Sequence, residues 1–281
     1  MMYNAPMNSA PTQDPDDAPP KGSPRDILGV WTRATTTVAA VFMRPPLVLA
    51  GCDPVPPARG AIAAAARGFP IVGLIIGVIA GLAFLFARAV GLTLELAAII
   101  AIALAAYAGG ALGESGLARS ADALAAGGSR ADVLAAMRRR THGTYGIIVL
   151  IAVFAIKVWA LASLGGIAAA IAALIAAATL SRAAIPALLH TMSPARDHGL
   201  AADAGKPDRN ETILALALGA AVTLLLLGPW TGLVALAVGA ACAFKFYFLG
   251  NRFTGGVTGA LLGAAQQGAE VGVLLAVVAM R

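Results

Sequence analysis

Acids and bases gather in one stretch of an otherwise apolar chain, residues 110–146, where two apolar segments surface. Glu114 and Asp122 are carboxylates of the kind that ligate a hard divalent cation such as Mg²⁺ while leaving room for substrate phosphates. Further along, Met137-Arg138-Arg139-Arg140-Thr141-His142-Gly143-Thr144-Tyr145-Gly146 sets three guanidinium groups and a proton carrier, His142, just ahead of an apolar run. Guanidinium forks match phosphate geometry, so together the clusters suit chemistry on a nucleotide or a phosphorylated, lipid-like substrate. On the residues alone, two plainer readings stay open: a solvated loop whose acids offset its arginines, and a basic anchor for anionic headgroups.

Four ionisable residues fall inside apolar runs, Lys157, Arg182, Lys245 and Glu270. Centring a charge in lipid costs a few kcal/mol or more, so each needs a partner, a cavity or a route to the interface. Lys245 sits near a predicted helix end and can snorkel. Glu270 shares a segment with Gln266 and Gln267, and a polar cluster at that depth must face a cavity or partner helices. His190 and His198 flank Ser193-Pro194-Ala195-Arg196-Asp197 and, with no third ligand at metal spacing, read as loop histidines. Cys52 and Cys242 offer neither a disulfide framework nor ligand spacing. No Walker loop, dinucleotide fingerprint or serine elbow is present, which removes the familiar soluble nucleotide sites.

The elements that must position these groups are membrane helices. The 281 residues are 59% hydrophobic and 12% charged, with a net charge of +6, far more apolar than soluble domains at about 45–50% apolar and 25% charged. The expected fold is all-α, a polytopic integral membrane helix bundle. Seven stretches approach the ~20 apolar residues that cross ~30 Å of hydrocarbon: residues 70–90, 92–112, 145–164, 167–189, 212–228, 230–249 and 257–280. Ahead of them, residues 26–43 carry Ile27, Val30, Trp31, Val38 and Phe42 at helical spacing until Pro45 and Pro46, an interfacial helix, and residues 61–67 form another short helix before Pro70. Residues 1–25, rich in Pro and Asp, read as a disordered cytoplasmic tail and residues 26–281 as one membrane domain.

Basic residues alternate between connections. Arg119, Arg130 and Arg138 to Arg140 follow the second span, Arg196, Lys206 and Arg209 the fourth, and Asn251 with Arg252 the sixth, whereas Gly165-Gly166 and Gly228-Pro229 carry no charge. The positive-inside rule then sets a cytoplasmic N-terminus and a non-cytoplasmic C-terminus, with the three polar loops in one compartment. The same distribution assigns the basic charge to membrane orientation and argues against a nucleic-acid partner. Two glycine ladders, Gly73-Gly77-Gly81 and Gly255-Gly259-Gly263, read as helix packing seams rather than ligand approaches.

From about Phe42 onward the chain resembles the cobalamin-5′-phosphate synthase (adenosylcobinamide-GDP ribazoletransferase) family. The resemblance rests on Arg67-Gly68-Phe69-Pro70-Ile71-Val72-Gly73, the 110–146 loop, Leu180-Ser181-Arg182-Ala183, Pro194-Ala195-Arg196-Asp197-His198-Gly199-Leu200 and Gly255-Gly256-Val257-Thr258-Gly259. Where the family shows H-x-D-G-L-A-D-x-x-D-G, this chain has Gly113-Glu114-Ser115-Gly116-Leu117-Ala118-Arg119-Ser120-Ala121-Asp122-Ala123, without the histidine and two of the aspartates. Arg139, Arg140 and Thr141 stand where Asp-Ser-Arg is usual, and Ala260 where an aspartate closes the last motif. Replacing aspartate by arginine reverses the local charge.

The resemblance implies a multi-pass transferase of the cell inner membrane. Its Mg²⁺-dependent reaction is attack by α-ribazole, or its 5′-phosphate, on adenosylcobinamide-GDP with release of GMP. It implies catalytic roles for Glu114, Asp122 and His142, with Glu114 and Asp122 also holding the metal. Substrate contacts fall to Arg138, Tyr145, Arg182, Arg196, Arg252, Thr258, Gln266 and Glu270. Expected partners are those substrates, the lipid bilayer and other corrinoid-assembly enzymes. The missing acids keep a second reading open, a catalytically impaired paralogue that binds or scaffolds for corrinoid enzymes, and a small-molecule transporter is a more distant third.

Overall fold

The computed structural model of the chain describes residues 24–51, 57–139 and 141–281. Residues 1–23 of the expected tail, Cys52 and Arg140 therefore lie outside the described residues. Pro24 and Arg25, expected in the tail, already belong to α1 (Pro24–Phe42). The chain continues through α2 (Arg44–Leu49), α3 (Ala61–Ala64), α4 (Gly68–Ala89), α5 (Leu94–Ala108), α6 (Leu112–Ala126), α7 (Arg130–Ala136), α8 (Thr144–Ser163), α9 (Ile167–Thr191), α10 (Leu200–Ala204), α11 (Arg209–Leu227), α12 (Pro229–Leu249) and α13 (Gly259–Ala279). Among the described residues the sole β pairing is an isolated parallel bridge between Pro194 and Val257. The protein is a polytopic all-α bundle: α4, α8, α9, α11, α12 and α13 are long and apolar enough to cross a membrane.

The second expected span is different. α5 has only 15 residues, about 22 Å at 1.5 Å per residue, short of the ~30 Å hydrocarbon layer. The chain then turns by 90° into α6. Gly110 and Ala111 make that corner with φ of +64° and +50°, the left-handed region in which an alanine is strained. The pair counts as a seventh span only if α5 and α6 are taken as one broken helix. α12 also departs from expectation, because a π-helical turn over Gly250–Thr254 carries it onward, placing Asn251 and Arg252 in helix rather than in a loop. The helix expected over residues 61–67 is confined to α3.

α4, α9 and α13 form the centre, and α8, α11 and α12 expose broad apolar flanks. The first glycine ladder is the seam between α4 and α9: a Cβ on Gly77 would lie 2.7 Å from the Ile175 Cα, and one on Gly81 would lie 2.9 Å from a methyl of Ile171. Small residues at such a seam let two backbones approach in lipid, where apolar burial between helices supplies no driving force. Trp159 and Trp230, 75% and 76% exposed, sit toward the uncharged Gly165–Gly166 and Gly228 turns, as an interfacial aromatic belt would. At the opposite end, the Arg67 guanidinium lies 5.3 Å from the Trp31 ring centre and pairs with Glu211, tying α1, α4 and α11 together.

Candidate functional site

At that second end the three charged connections meet. Val257 N donates to the Ser193 carbonyl at 2.8 Å, and Ala195 N to the Val257 carbonyl at 2.9 Å, joining the connection after α9 to the one before α13. Thr258, which caps α13 by accepting from Leu261 N at 3.1 Å, also sets its hydroxyl 3.5 Å from the Met137 sulfur, which brings in the end of α7. Between them lies a cavity of about 290 Å³, at the lower end of small-molecule sites at ~300–1,000 Å³.

Its charged lining is Glu114, Arg119, Arg138, Arg182 and Arg196, together with His198. Each is positioned for a local reason. Arg138 follows α7, whose start is fixed by a capping box in which Ser129 and Asp132 exchange bonds, Ser129 N to Asp132 Oδ2 at 2.9 Å and Asp132 N to Ser129 Oγ at 3.3 Å; such a cap contributes about 1 kcal/mol. Arg119 is held to its own helix by Nε donating to the Ser115 carbonyl at 3.1 Å. Arg59 steadies the turn carrying Arg196 and His198, donating to the Asp197 carbonyl at 2.9 Å. The Nε of Arg196 is buried with no hydrogen-bond partner among the described residues. Burial depresses the Arg196 guanidinium pKa below its usual value, and the charges of Arg138 and Arg119 push the same way.

Of the expected substrate contacts, Arg138, Arg182, Arg196, Thr258 and Gln266 line the cavity, whereas Tyr145, Arg252 and Glu270 do not. Tyr145 is exposed at the start of α8, and Arg252 lies over the Phe253 ring. Among the expected catalytic groups, Glu114 lines the cavity and His142 is exposed outside it. Asp122 points elsewhere: it accepts from Gly143 N at 2.6 Å and from Gly146 N at 2.7 Å. Its carboxylate thus caps the N-terminus of α8 from a neighbouring helix, where amides and helix dipole both favour an anion. A Cβ on Gly146 would lie 2.8 Å from the Ala118 carbonyl, so α8 can approach α6 closely enough to use that cap.

Glu270 belongs to a buried relay beneath the cavity. Lys157 Nζ donates to Glu270 Oε1 and to Gln267 Oε1, both at 2.7 Å, Arg182 lies 3.6 Å from the other Glu270 oxygen, and Gln266 donates to that same oxygen. Gln267 in turn donates to Glu114 Oε1 at 2.9 Å. Two cations and two anions cancel within the relay, so the apolar interior encloses no net charge, the condition under which buried ions are tolerated. Of the two settings expected for Glu270, partner helices rather than the cavity provide it.

Of the ionisable lining residues, Arg119 and His198 are the two whose site role sequence reasoning missed: Arg119 counted only toward orientation and His198 only as a loop residue. The signal for Arg119 was its place in the loop between Glu114 and Asp122. His190, expected in a loop, sits in the last turn of α9, where its Nδ1 donates to the Pro207 carbonyl at 2.8 Å. The second glycine ladder also differs from the expected seam. Gly263 packs on Gly116, but Gly259 and Gly263 both line the cavity, and a Cβ on Gly255 would strike the Arg130 guanidinium.

These residues do not fit a resident Mg²⁺. Among the described residues no three His, Cys, Asp or Glu side chains cluster to hold a metal ion. Among the described residues Glu114 is the one carboxylate lining the cavity, and recruiting Asp122 would strip the cap from α8.

The family described as cobalamin-5-phosphate synthase matches residues 30–278. A protein of Bradyrhizobium diazoefficiens named adenosylcobinamide-GDP ribazoletransferase is 39% identical over 226 residues, covering 80% of this chain and 87% of the relative. One of the same name from Rhizobium etli is 39% identical over 236 residues, covering 79% and 90%, and one from Azorhizobium caulinodans is 38% identical over 221 residues, covering 75% and 83%. No solved structure matches the chain.

Proposed function

The chain belongs to the cobalamin-5-phosphate synthase family, and from that premise we propose that it is the membrane transferase that joins adenosylcobinamide-GDP to α-ribazole or its 5′-phosphate, releasing GMP. The observation that carries this reading to the site is the convergence of four arginines and one carboxylate on a single cavity at the mouth of the bundle. In the reaction a ribose hydroxyl oxygen of α-ribazole bonds to the phosphorus that bears the cobinamide. The bond from that phosphorus to the bridging oxygen breaks, and GMP leaves with the oxygen. Guanidinium groups spread the charge that builds on the phosphoryl oxygens and on the leaving phosphate. Glu114, held by Gln267, takes the hydroxyl proton. The cavity has room for the reacting phosphates, while the corrin ring stays outside it against the apolar flank.

Basic connections at the cavity end and uncharged turns at the other support an orientation with the cavity facing the cytoplasm across the cell inner membrane. Water-soluble nucleotide substrates then reach it from inside the cell. The test is complementation: a strain lacking its ribazoletransferase, expressing this chain and fed cobinamide plus the lower-ligand base, makes cobalamin. Rescue that disappears in Glu114→Gln supports the reading; absence of rescue with verified membrane insertion refutes it.

A further inference from the structure

The relay of Glu114, Lys157, Arg182 and Glu270 is neutral in itself, which leaves the cavity's other three guanidinium groups, those of Arg119, Arg138 and Arg196, without a counter-charge. Among the described residues no carboxylate approaches any of the three within ion-pair distance. They come from α6, from the end of α7 and from the turn after α9, so the fold, and no local motif, assembles them. Arg119 and Arg196 are half-buried and Arg138 is exposed at the cavity mouth, and like charges gathered in a partly desolvated pocket repel unless an anion joins them. The buried and unpartnered Nε of Arg196 marks a donor still lacking its acceptor, and native structures leave few such groups unsatisfied.

We infer that Arg119, Arg138 and Arg196 form a metal-free cradle for a diphosphate, binding the free anion directly instead of through a divalent cation. The inference rests on the transferase reading for the identity of the diphosphate and departs from the Mg²⁺ dependence that the family resemblance implies. Charge matching favours it. The diphosphate bridge of a nucleoside diphosphate ester carries two negative charges, which three guanidinium groups already neutralise, whereas a further divalent cation would leave the site strongly positive. Guanidinium forks also hold phosphate oxygens in fixed geometry, which a hydrated metal does only through its remaining ligands.

The test is binding of inorganic pyrophosphate to the full chain in nanodiscs of zwitterionic lipid, by calorimetry, with EDTA and then with millimolar Mg²⁺. A guanidinium cradle binds the free anion, so affinity persists in EDTA and falls when Mg²⁺ sequesters pyrophosphate; a metal-bridged site shows the opposite sign. Arg119→Gln and Arg196→Gln should each weaken pyrophosphate binding about tenfold or more, the effect of losing one charge-assisted bond. Arg119→Lys should fall between. Ligand-free thermal stability of the Gln variants should be equal or higher, because mutual repulsion is relieved; this separates a lost ligand contact from misfolding. Affinity that requires Mg²⁺, or no pyrophosphate binding in either condition, overturns the inference. A tenfold loss in nanodiscs containing phosphatidylglycerol also overturns it, by assigning the cradle to lipid headgroups. Complementation failing while EDTA-resistant binding persists removes the transferase reading alone, and rescue alongside Mg²⁺-dependent binding removes the cradle alone.

Discussion

Exchanging Glu270 for leucine tests whether the buried relay is one unit. The Lys157 side chain is 2% exposed and its ammonium lies 2.7 Å from the Glu270 carboxylate. In Glu270→Leu that cation keeps Gln267 as its acceptor and loses its counter-charge, a loss that costs about 3–5 kcal/mol when one partner of a buried pair is removed. Lys157→Leu costs less, because Arg182 still faces Glu270 at 3.6 Å and Gln266 still donates to it. Replacing both residues by leucine removes the pair together, an exchange often close to neutral for an isolated buried pair, while Arg182 still loses the carboxylate 3.6 Å away. The double variant should therefore recover at least half of the Glu270→Leu loss, a coupling of about 2 kcal/mol. Unfolding of the full chain in lipid nanodiscs reads this directly: at roughly 2–4 °C per kcal/mol, Glu270→Leu lowers Tm by about 6–20 °C and the double variant by no more than half of that. Strict additivity of the two single losses, or an unchanged Tm in Glu270→Leu, would refute the claim that these charges exist to neutralise one another.

Two further substitutions probe how the site is positioned. Asp122→Ala frees the Gly143 and Gly146 amides that now bond its carboxylate and should cost about 1–2 kcal/mol, as loss of a helix cap does, with Asp122→Asn losing about half as much in the same unfolding assay. If Asp122 served as a metal ligand instead, Asp122→Asn would abolish turnover with stability intact, and that pattern would contradict the capping role. Gly77→Leu places a side chain against the α9 backbone, where a Cβ alone would already lie 2.7 Å from the Ile175 Cα; overpacking of this kind costs about 1–3 kcal/mol. Size-exclusion profiles of detergent-solubilised protein should show loss of the monodisperse folded peak, and an unchanged profile would remove the seam.

What the sequence made legible, and what it did not, follows from the range over which each feature is decided. A span is a local property, so six long helices emerge close to their expected bounds. The bend after α5 escaped because hydropathy does not register backbone direction: Ala108-Gly109-Gly110-Ala111-Leu112 stays apolar straight through a 90° turn. The chemistry of a charge, by contrast, is set by what faces it. Asp122 and Glu114 look alike in sequence, yet one accepts from an amide 21 residues onward and the other from a glutamine 153 residues onward. Lys157 meets its counter-ion across 113 residues, and no periodicity carries that pairing. In sequence Arg119 is an orientation signal in a basic stretch; the cavity it lines also takes Arg196, from a turn that a short backbone bridge between Ser193–Ala195 and Val257 holds in position from another part of the chain. A basic loop and an anion site are therefore the same residues seen before and after the helices close around them. Among the described residues closure brings no carboxylate within ion-pair distance of Arg119, Arg138 or Arg196, and that unmet charge is what makes a phosphate-bearing ligand part of the fold's own electrostatic balance.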